Sequence, residues 1–144
     1  MATDVQIVEL KEFDESYVAP VKELLAQLSS SPVEFSCQTL KELVGSENTH
    51  LFIALYDGRL CGMLTLAHYM APTGRKLWVE DVVVDSSLRG KSIGRALVQR
   101  AIEKAKEIGG TLMLTSKPAR VAANALYRSS GFEQKETNVY RMKV

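Results

Sequence analysis

The chain has 144 residues, of which 46% are hydrophobic and 24% are charged, and its formal net charge is +1 at pH 7. These proportions are typical of a soluble globular protein, so we expect residues 1–144 to form a single domain. No apolar run approaches the roughly 20 residues of a membrane-spanning helix, which argues against a membrane protein. The nearly balanced charge argues against nucleic acid as a partner.

Cysteine content and the N-terminus bear on location. Cys37 and Cys61 are too few and too far apart in sequence to suggest a disulfide framework or a metal site. The N-terminus lacks the basic and then apolar layout of a signal peptide. We therefore expect a cytoplasmic protein without a bound metal.

The charges are distributed unevenly along the chain. Residues 1–60 contain four Lys/Arg and ten Asp/Glu, whereas residues 61–144 contain fourteen and seven. This asymmetry favours an anion-binding site in the second half and an acidic surface in the first half. The alternative is that both sets are solvated faces without a ligand.

Hydrophobic periodicity and turn residues predict strands that first pair locally and then alternate with helices. In chain order the predicted elements are a strand at 5–10, helices at about 15–28 and 38–44, a hairpin of strands 51–56 and 60–69 that turns at Asp57-Gly58, a strand at 76–84, a helix at 93–108, a strand at 111–116, a helix at 121–130 and a last strand at 138–144. This order predicts an α/β (α+β) fold. We expect a mixed, mostly antiparallel, twisted sheet of six to seven strands, flanked by about four helices.

The segment LRGKSIGRAL has the features of an anion-binding loop. Its glycines are Gly90 and Gly94, its cations are Arg89, Lys91 and Arg95, and it opens a predicted helix. The N–H groups of a helix N-terminus are free and its dipole is positive there, while glycine allows an anion to approach the backbone closely. An arginine guanidinium can donate two parallel hydrogen bonds to the oxygens of one phosphate. The segment therefore favours a diphosphate ligand, and the alternative is a helix start with incidental basic residues.

Two familiar phosphate loops do not match this segment. Gly90-Lys91-Ser92 imitates the end of a P-loop, but the motif requires glycine where Asp85 stands. The dinucleotide motif G-x-G-x-x-G is absent as well. A small NTP- or phosphate-binding protein is therefore the least favoured of the functions considered.

Two segments resemble a known family. VVVDSSLRGKSIGRAL resembles the signature of the GNAT superfamily of N-acetyltransferases, Arg/Gln-x-x-Gly-x-Gly/Ala, in which Arg89 takes the first position and Gly94 the last. ANALYRSSGF, at 123–132, is similar to the later A-x-x-L-Y-x-x-x-G-F segment of that family. Ser92 stands where the family usually has glycine, and Arg120 stands where it often has asparagine.

The resemblance implies acetyl-CoA as co-substrate, with its pyrophosphate held by the loop. It also implies a strand that separates from its neighbour, so that backbone groups bind the pantetheine arm and the acetyl carbonyl. The cofactor-binding residues expected on this basis are Val82, Val83, Val84, Arg89, Gly90, Lys91, Ser92, Ile93, Gly94, Arg95 and Asn124. Ser92 would cost about 1–2 kcal/mol if its φ is positive. If its backbone is helical instead, its hydroxyl could cap the helix.

Acetylation of an amine requires a proton acceptor for the amine and a proton donor for the leaving thiolate. The resemblance makes Glu80 the candidate base, acting directly or through water, with Asp81 as the alternative base or a substrate-orienting group. Successive strand residues point to opposite faces, so we do not expect both carboxylates to face the substrate in the same way. Tyr127 is the candidate acid, since a phenol is protonated at neutral pH. Structural roles for all three residues are the alternative.

The resemblance favours an enzyme, an acyltransferase that acetylates a primary amine by direct attack in a ternary complex. The alternative is a non-catalytic CoA-binding sensor or partner-binding module. The acceptor is a small-molecule or peptide amine, and the acidic first half favours a cationic one. The last predicted strand is apolar enough to permit a homodimer. His50 has no metal-ligand partner at a useful spacing and receives no role. His68 is expected at the surface, and the alternative is that it faces a substrate channel.

Overall fold

The computed structural model describes residues 5–144, which form one five-stranded sheet with four α-helices packed on it. The strands are β1 (Val5–Leu10), β2 (Thr49–Tyr56), β3 (Arg59–Ala71), β4 (Gly74–Val84) and β5 (Thr111–Met113), and the helices are α1 (Val18–Leu28), α2 (Cys37–Gly45), α3 (Ile93–Ile108) and α4 (Val121–Ser129). The strands lie in sequence order across the sheet. Neighbours from β1 to β4 are antiparallel, and β5 is parallel to β4. The predicted α+β class and mixed sheet are therefore confirmed.

Local sequence signals account for several element boundaries. The Ser36 side chain accepts a hydrogen bond from the Thr39 N–H at 3.2 Å, and the Thr39 hydroxyl faces the Ser36 N–H, which forms a capping box at the start of α2. Asp57 and Gly58 both have positive φ, of 51° and 80°. A two-residue type I′ turn requires this at both positions, so the Asp-Gly signal correctly located the β2–β3 hairpin.

The core has two parts, one on each face of the sheet. Because side chains alternate along a strand, Phe52 points to one face and its neighbour Ile53 to the other. α3 closes the Phe52 face with buried side chains that include Leu97 and Val98. α1 and α2 close the Ile53 face, where Leu40 is fully buried. The two packed faces fix the orientation of β4, which carries the candidate catalytic carboxylates.

The predicted strand count of six to seven is wrong, because residues 5–144 form five strands. The predicted strand 138–144 has no regular structure, and its side chains are exposed. No neighbouring backbone pairs with it, and an extended segment without such a partner is not a strand. The predicted strand 111–116 ends at Met113, since its partner β4 diverges from it beyond Trp78.

An irregularity in β4 marks the start of the functional site. The pairing register between β3 and β4 shifts between Met63 and Thr65, as at a β-bulge. On the opposite strand Asp81 has a φ of 50°, in the left-handed region. A bulge bends its strand and redirects the side chains around it.

None of the described helices is both long and apolar enough to span a bilayer.

Candidate active site

The site lies where β4 and β5 separate. Their parallel pairing covers Lys76↔Thr111 to Trp78↔Met113, whereas β4 continues to Val84. The resulting groove, about 1090 Å³ in volume, is bounded by β4, the loop before α3, the chain after β5 and α4. Val82, Val83 and Val84 line this groove. Because the pairing with β5 ends at Trp78, their backbone groups on that side have no partner strand. The predicted strand separation is therefore present.

The loop at the start of α3 presents free backbone donors to this groove. The first helical hydrogen bond runs from the Ala96 N–H to the Ser92 carbonyl at 3.1 Å, so the N–H groups of Ile93, Gly94 and Arg95 have no acceptor within the helix. The four residues from Ser92 to Arg95 all line the groove. They lie at the positive end of the helix dipole. Gly90 has a φ of 84° and shapes the turn before them.

Ser92 adopts the conformation that is costly for serine. Its φ is 62° and its ψ is 21°, in the left-handed region, and its side chain makes no capping hydrogen bond. The sequence left open whether Ser92 has a helical backbone or a positive φ, and the structure has the positive φ. Ser92 is exposed and lines the groove.

The three cations of the loop have different surroundings. Arg89 lines the groove and forms no ion pair with any described residue. Arg95 also lines the groove, but its guanidinium donates to the Ser129 hydroxyl on α4 at 3.0 Å. Lys91 does not line the groove, and its Nζ lies 5.7 Å from the centre of the Tyr56 ring. Arg89 is thus the cation best placed for a diphosphate.

A smaller cavity of about 180 Å³ adjoins the groove and contains the candidate catalytic groups. Glu80, Asp81, Arg120 and Tyr127 all line it. The left-handed backbone at Asp81 interrupts the regular alternation of side chains along β4, which allows both residues to line one cavity. The two cavities share the lining residues Leu28, Val82, Thr115, Arg120 and Tyr127.

Electrostatics favour a proton-accepting role for Glu80. Burial raises the pKa of the Glu80 carboxyl, and the negative charge of Asp81 raises it further. A carboxylate with a raised pKa is a stronger base than an ordinary one.

Tyr127 is set into the wall between groove and cavity. Its residue surface is 6% exposed, and its ring packs edge-on against Phe132 with the ring centres 6.1 Å apart. Burial raises the pKa of the Tyr127 phenol, and the positive charge of Arg120 offsets part of that rise. The phenol therefore keeps its proton at neutral pH, as a donor must.

Asn124 occupies a different position from the one implied by the resemblance. Its side-chain amide donates to the Lys117 carbonyl at 2.9 Å, and it does not line either cavity. The amide therefore holds the β5–α4 loop in place, and Lys117 of that loop lines the groove.

Several groove residues were not predicted from the sequence. The Ser116 hydroxyl is buried and has no hydrogen-bond partner among residues 5–144. The α1 residue Gln27 also lines the groove, and its side-chain oxygen accepts from the Ser86 N–H at 2.9 Å. The sequence does carry a signal for this part of the groove. Thr115 and Ser116 are polar residues that follow an apolar run, a pattern that indicates a strand ending at a functional site.

These features fit the acetyl-CoA that the resemblance implies. A pyrophosphate requires N–H donors and cations, which the α3 N-terminus and Arg89 supply. A pantetheine arm carries amides, and its partners would be the backbone groups of Val82–Val84 on the β5 side, where no strand pairs with them, and the unpartnered Ser116 hydroxyl. A buried hydroxyl without a partner costs free energy, which a ligand that bonds it would recover.

Fold and site together define an acetyltransferase, and the chain belongs to the acetyltransferase (GNAT) family, whose model matches residues 12–132. Over 144 aligned residues it is 30% identical to the Bacillus subtilis (strain 168) protein named uncharacterized N-acetyltransferase YhdJ, covering 96% of each chain. It is also 30% identical to glucosamine 6-phosphate N-acetyltransferase 1 of Oryza sativa subsp. japonica, over 81% of this chain and 74% of that protein.

A solved structure supports the same fold. The aminoglycoside N-acetyltransferase AAC(6')-Iy, determined in complex with CoA, superposes with a TM-score of 0.78 over 99% of this chain and 97% of that chain. The sequence identity is 16%, so the match bears on the fold.

Proposed function

We propose that the protein transfers an acetyl group from acetyl-CoA to a primary amine by direct attack in a ternary complex. The observation that carries this proposal is the position of Glu80 and Tyr127 on one small cavity that opens into the groove beside β4. The proposed base and the proposed acid thus both border a space where an amine and a thioester could meet.

The proposed residues have separate tasks. Arg89 and the N–H groups at the start of α3 would hold the pyrophosphate. The backbone of Val82–Val84 would orient the pantetheine arm and donate to the acetyl carbonyl. When bound, acetyl-CoA supplies an activated acetyl group and a thiolate leaving group.

Proton transfer is assigned to Glu80 and Tyr127. The Glu80 carboxylate would accept the proton that the amine loses as the carbon–nitrogen bond forms, directly or through water. The Tyr127 hydroxyl would donate a proton to the sulfur as the carbon–sulfur bond breaks. The proton taken at Glu80 then returns to solvent, and the Tyr127 phenolate is protonated from solvent.

The cavity favours an acceptor that arrives as a cation. Glu80 and Asp81 bring two carboxylates to its wall, and Arg120 brings one cation. An alkylammonium ion would be attracted to the carboxylates, and it would release one proton to solvent before the neutral amine attacks. The name of the rice relative supports a small-molecule amine, and a peptide amine stays within the proposal. Cytoplasmic location and the absence of a metal requirement stay predictions.

The test measures CoA-thiol release from acetyl-CoA with a panel of amines, for the wild type, Glu80→Gln and Tyr127→Phe. We expect turnover with one class of amine, and each substitution should lower kcat by on the order of 100-fold. Acetyl-CoA affinity, measured by calorimetry, should stay the same in both variants. A control, Tyr140→Phe, changes an exposed tyrosine outside both cavities and should leave kcat unchanged.

Two results would count against the proposal. Full activity of both variants would remove the assigned proton transfers. Tight binding of acetyl-CoA by the wild type without turnover across the whole panel would favour a module that binds the cofactor without catalysis.

A further inference from the structure

Both histidines of the chain lie side by side at the end of the sheet away from the groove. His50 is near the start of β2 and His68 is near the end of β3, and their Nε2 atoms are 3.2 Å apart. The two ring planes are inclined by 13° and the ring centres are 5.3 Å apart. Because the Nε2 atoms are 3.2 Å apart at that separation, the rings meet at their Nε2 edges. His68 lies opposite Leu77 on β4, five residues before the first groove residue of that strand, Val82.

Three charged side chains complete the cluster. The Glu9 carboxylate on β1 lies 2.8 Å from His50 Nδ1 and 3.4 Å from the Lys104 ammonium on α3. An Arg75 guanidinium nitrogen, at the start of β4, lies 3.3 Å from His68 Nδ1. The cluster therefore joins four strands and α3, and the side chains of Glu9, His50 and Lys104 are only 11%, 15% and 22% exposed. We call Glu9, His50, His68, Arg75 and Lys104 the histidine clamp.

One arrangement of protons satisfies every contact of the histidine clamp. A guanidinium only donates, so His68 Nδ1 must accept from Arg75 and His68 must carry its proton on Nε2. That Nε2–H donates to His50 Nε2, so His50 must carry its proton on Nδ1. The His50 Nδ1–H then donates to the Glu9 carboxylate. Both imidazoles are neutral in this chain of hydrogen bonds.

An additional proton breaks the chain. On His68 Nδ1 it would place an N–H against the Arg75 guanidinium. On His50 Nε2 it would face the Nε2–H of His68, and a change of tautomer at His68 would only move the conflict to Arg75. Arg75 and Lys104 also repel a third positive charge at this place, against the single carboxylate of Glu9.

We propose that the histidine clamp is a proton-sensitive device that stabilises the packing of β1–β4 and α3 while both imidazoles are neutral and loses that stabilisation in mild acid. The histidine clamp contacts two elements that extend to the candidate site. One is β4, which carries Glu80, and the other is α3, which begins at the groove loop. This proposal does not depend on the proposed function.

The electrostatics of His68 agree with this direction. Burial lowers the pKa of the His68 imidazole, and the charges of His50, Arg75 and Lys104 lower it further. The unfolded chain therefore takes up a proton near pH 6.5 that the folded chain resists. The resulting stability is complete above pH 6.5 and is lost as the pH falls from there toward the folded pKa.

Glu9 responds in a lower pH range. Its burial acts to raise the pKa, but the His50 hydrogen bond and the Lys104 charge outweigh burial, so the pKa of Glu9 is lowered from 4.5. Its contribution is lost only below that value, so a loss of stability between pH 7.5 and 5.5 would report on His68.

The test uses the fact that the chain contains two histidines and both are in the clamp. A long-range ¹H–¹⁵N NMR spectrum of the wild type at pH 7.5 should show His50 protonated on Nδ1 and His68 protonated on Nε2. Thermal unfolding is then followed from pH 7.5 to 5.5 for the wild type and for the double variant His50→Asn, His68→Gln. Asparagine can replace the Nδ1–H donor and glutamine the Nε2–H donor, and neither side chain titrates.

We expect the Tm of the wild type to fall between pH 7.5 and 5.5 by at least about 3 °C more than that of the double variant. Equal losses in the two proteins would overturn the proposal. Either imidazole in the other tautomer in the wild-type spectrum would overturn it as well, and that measurement does not require the variant to fold.

Discussion

At the scale of single residues, Ser92 has a backbone conformation that glycine adopts more easily. Its φ of 62° brings Cβ close to the following carbonyl oxygen, and its side chain makes no capping bond in return. We expect Ser92→Gly to raise the free energy of unfolding by about 1 kcal/mol, measured by urea denaturation. Ser92→Ala is the matched control, because it removes the hydroxyl and keeps the Cβ. A glycine variant no more stable than the alanine variant would contradict the assigned strain.

Asp81 provides a residue-scale test of the proposed base. Its negative charge contributes to the raised pKa of Glu80, so Asp81→Asn should lower that pKa. Since the ionised carboxylate is the proposed active form, the acidic limb of the kcat/KM profile should move to lower pH. Asparagine tolerates the left-handed φ of 50° at this position, so the backbone should be retained. An unmoved limb would indicate that another group controls it.

At the scale of elements, the connection from α3 to β5 depends on a close backbone contact. A Cβ on Gly110, whose φ is 124°, would lie 2.5 Å from the Arg75 carbonyl oxygen of β4. Gly109, whose φ is 85°, has open space at the same position. We expect Gly110→Ala to lower the free energy of unfolding by about 3 kcal/mol and Gly109→Ala by about 1 kcal/mol, measured by urea denaturation. Equal losses would mean that φ alone matters here.

Elements whose sequence signal was local were predicted correctly. The Asp57-Gly58 turn and the periodic apolar face of α1 need only their own residues to be recognised. The strand at 138–144 was predicted from composition, but a strand also requires a neighbouring edge, which no local pattern reports. The same limit applies to β5, whose length depends on where β4 turns away.

The candidate site divides in the same way. The loop from Arg89 to Gly94 was predicted because an anion-binding turn has a local pattern. Arg120 was noticed only as a departure from a family pattern, and its place on both cavities depends on the packing of α4. The pairing of His50 with His68 could not be seen at all, since it depends on the register of β2 against β3.

At the scale of the whole molecule, self-association stays a prediction, and the C-terminal segment is where it can be tested. Val139, Tyr140, Met142 and Val144 are each more than 70% exposed, and residues 133–144 form no regular structure. We expect sedimentation velocity to show a dimer in which these side chains are covered by a second copy. Tyr140→Lys with Met142→Lys should give a monomer, because lysine is unfavourable in such an interface.

The double substitution changes only exposed side chains, so the monomer should keep its helical content by circular dichroism. A wild type that sediments as a monomer at every concentration would rule out this mode of association.

Within residues 5–144, the backbone of β5 pairs with the sheet at three residue pairs, with Trp78↔Met113 as the last. A segment held by so few backbone hydrogen bonds opens more often than the molecule unfolds. The amide hydrogens of β5 should therefore exchange with deuterated solvent well before those of β2 and β3, whose long antiparallel ladders flank the core. A molecule bound between β4 and α4 would slow that exchange, so occupancy of the groove and the opening of the C-terminal third are linked equilibria.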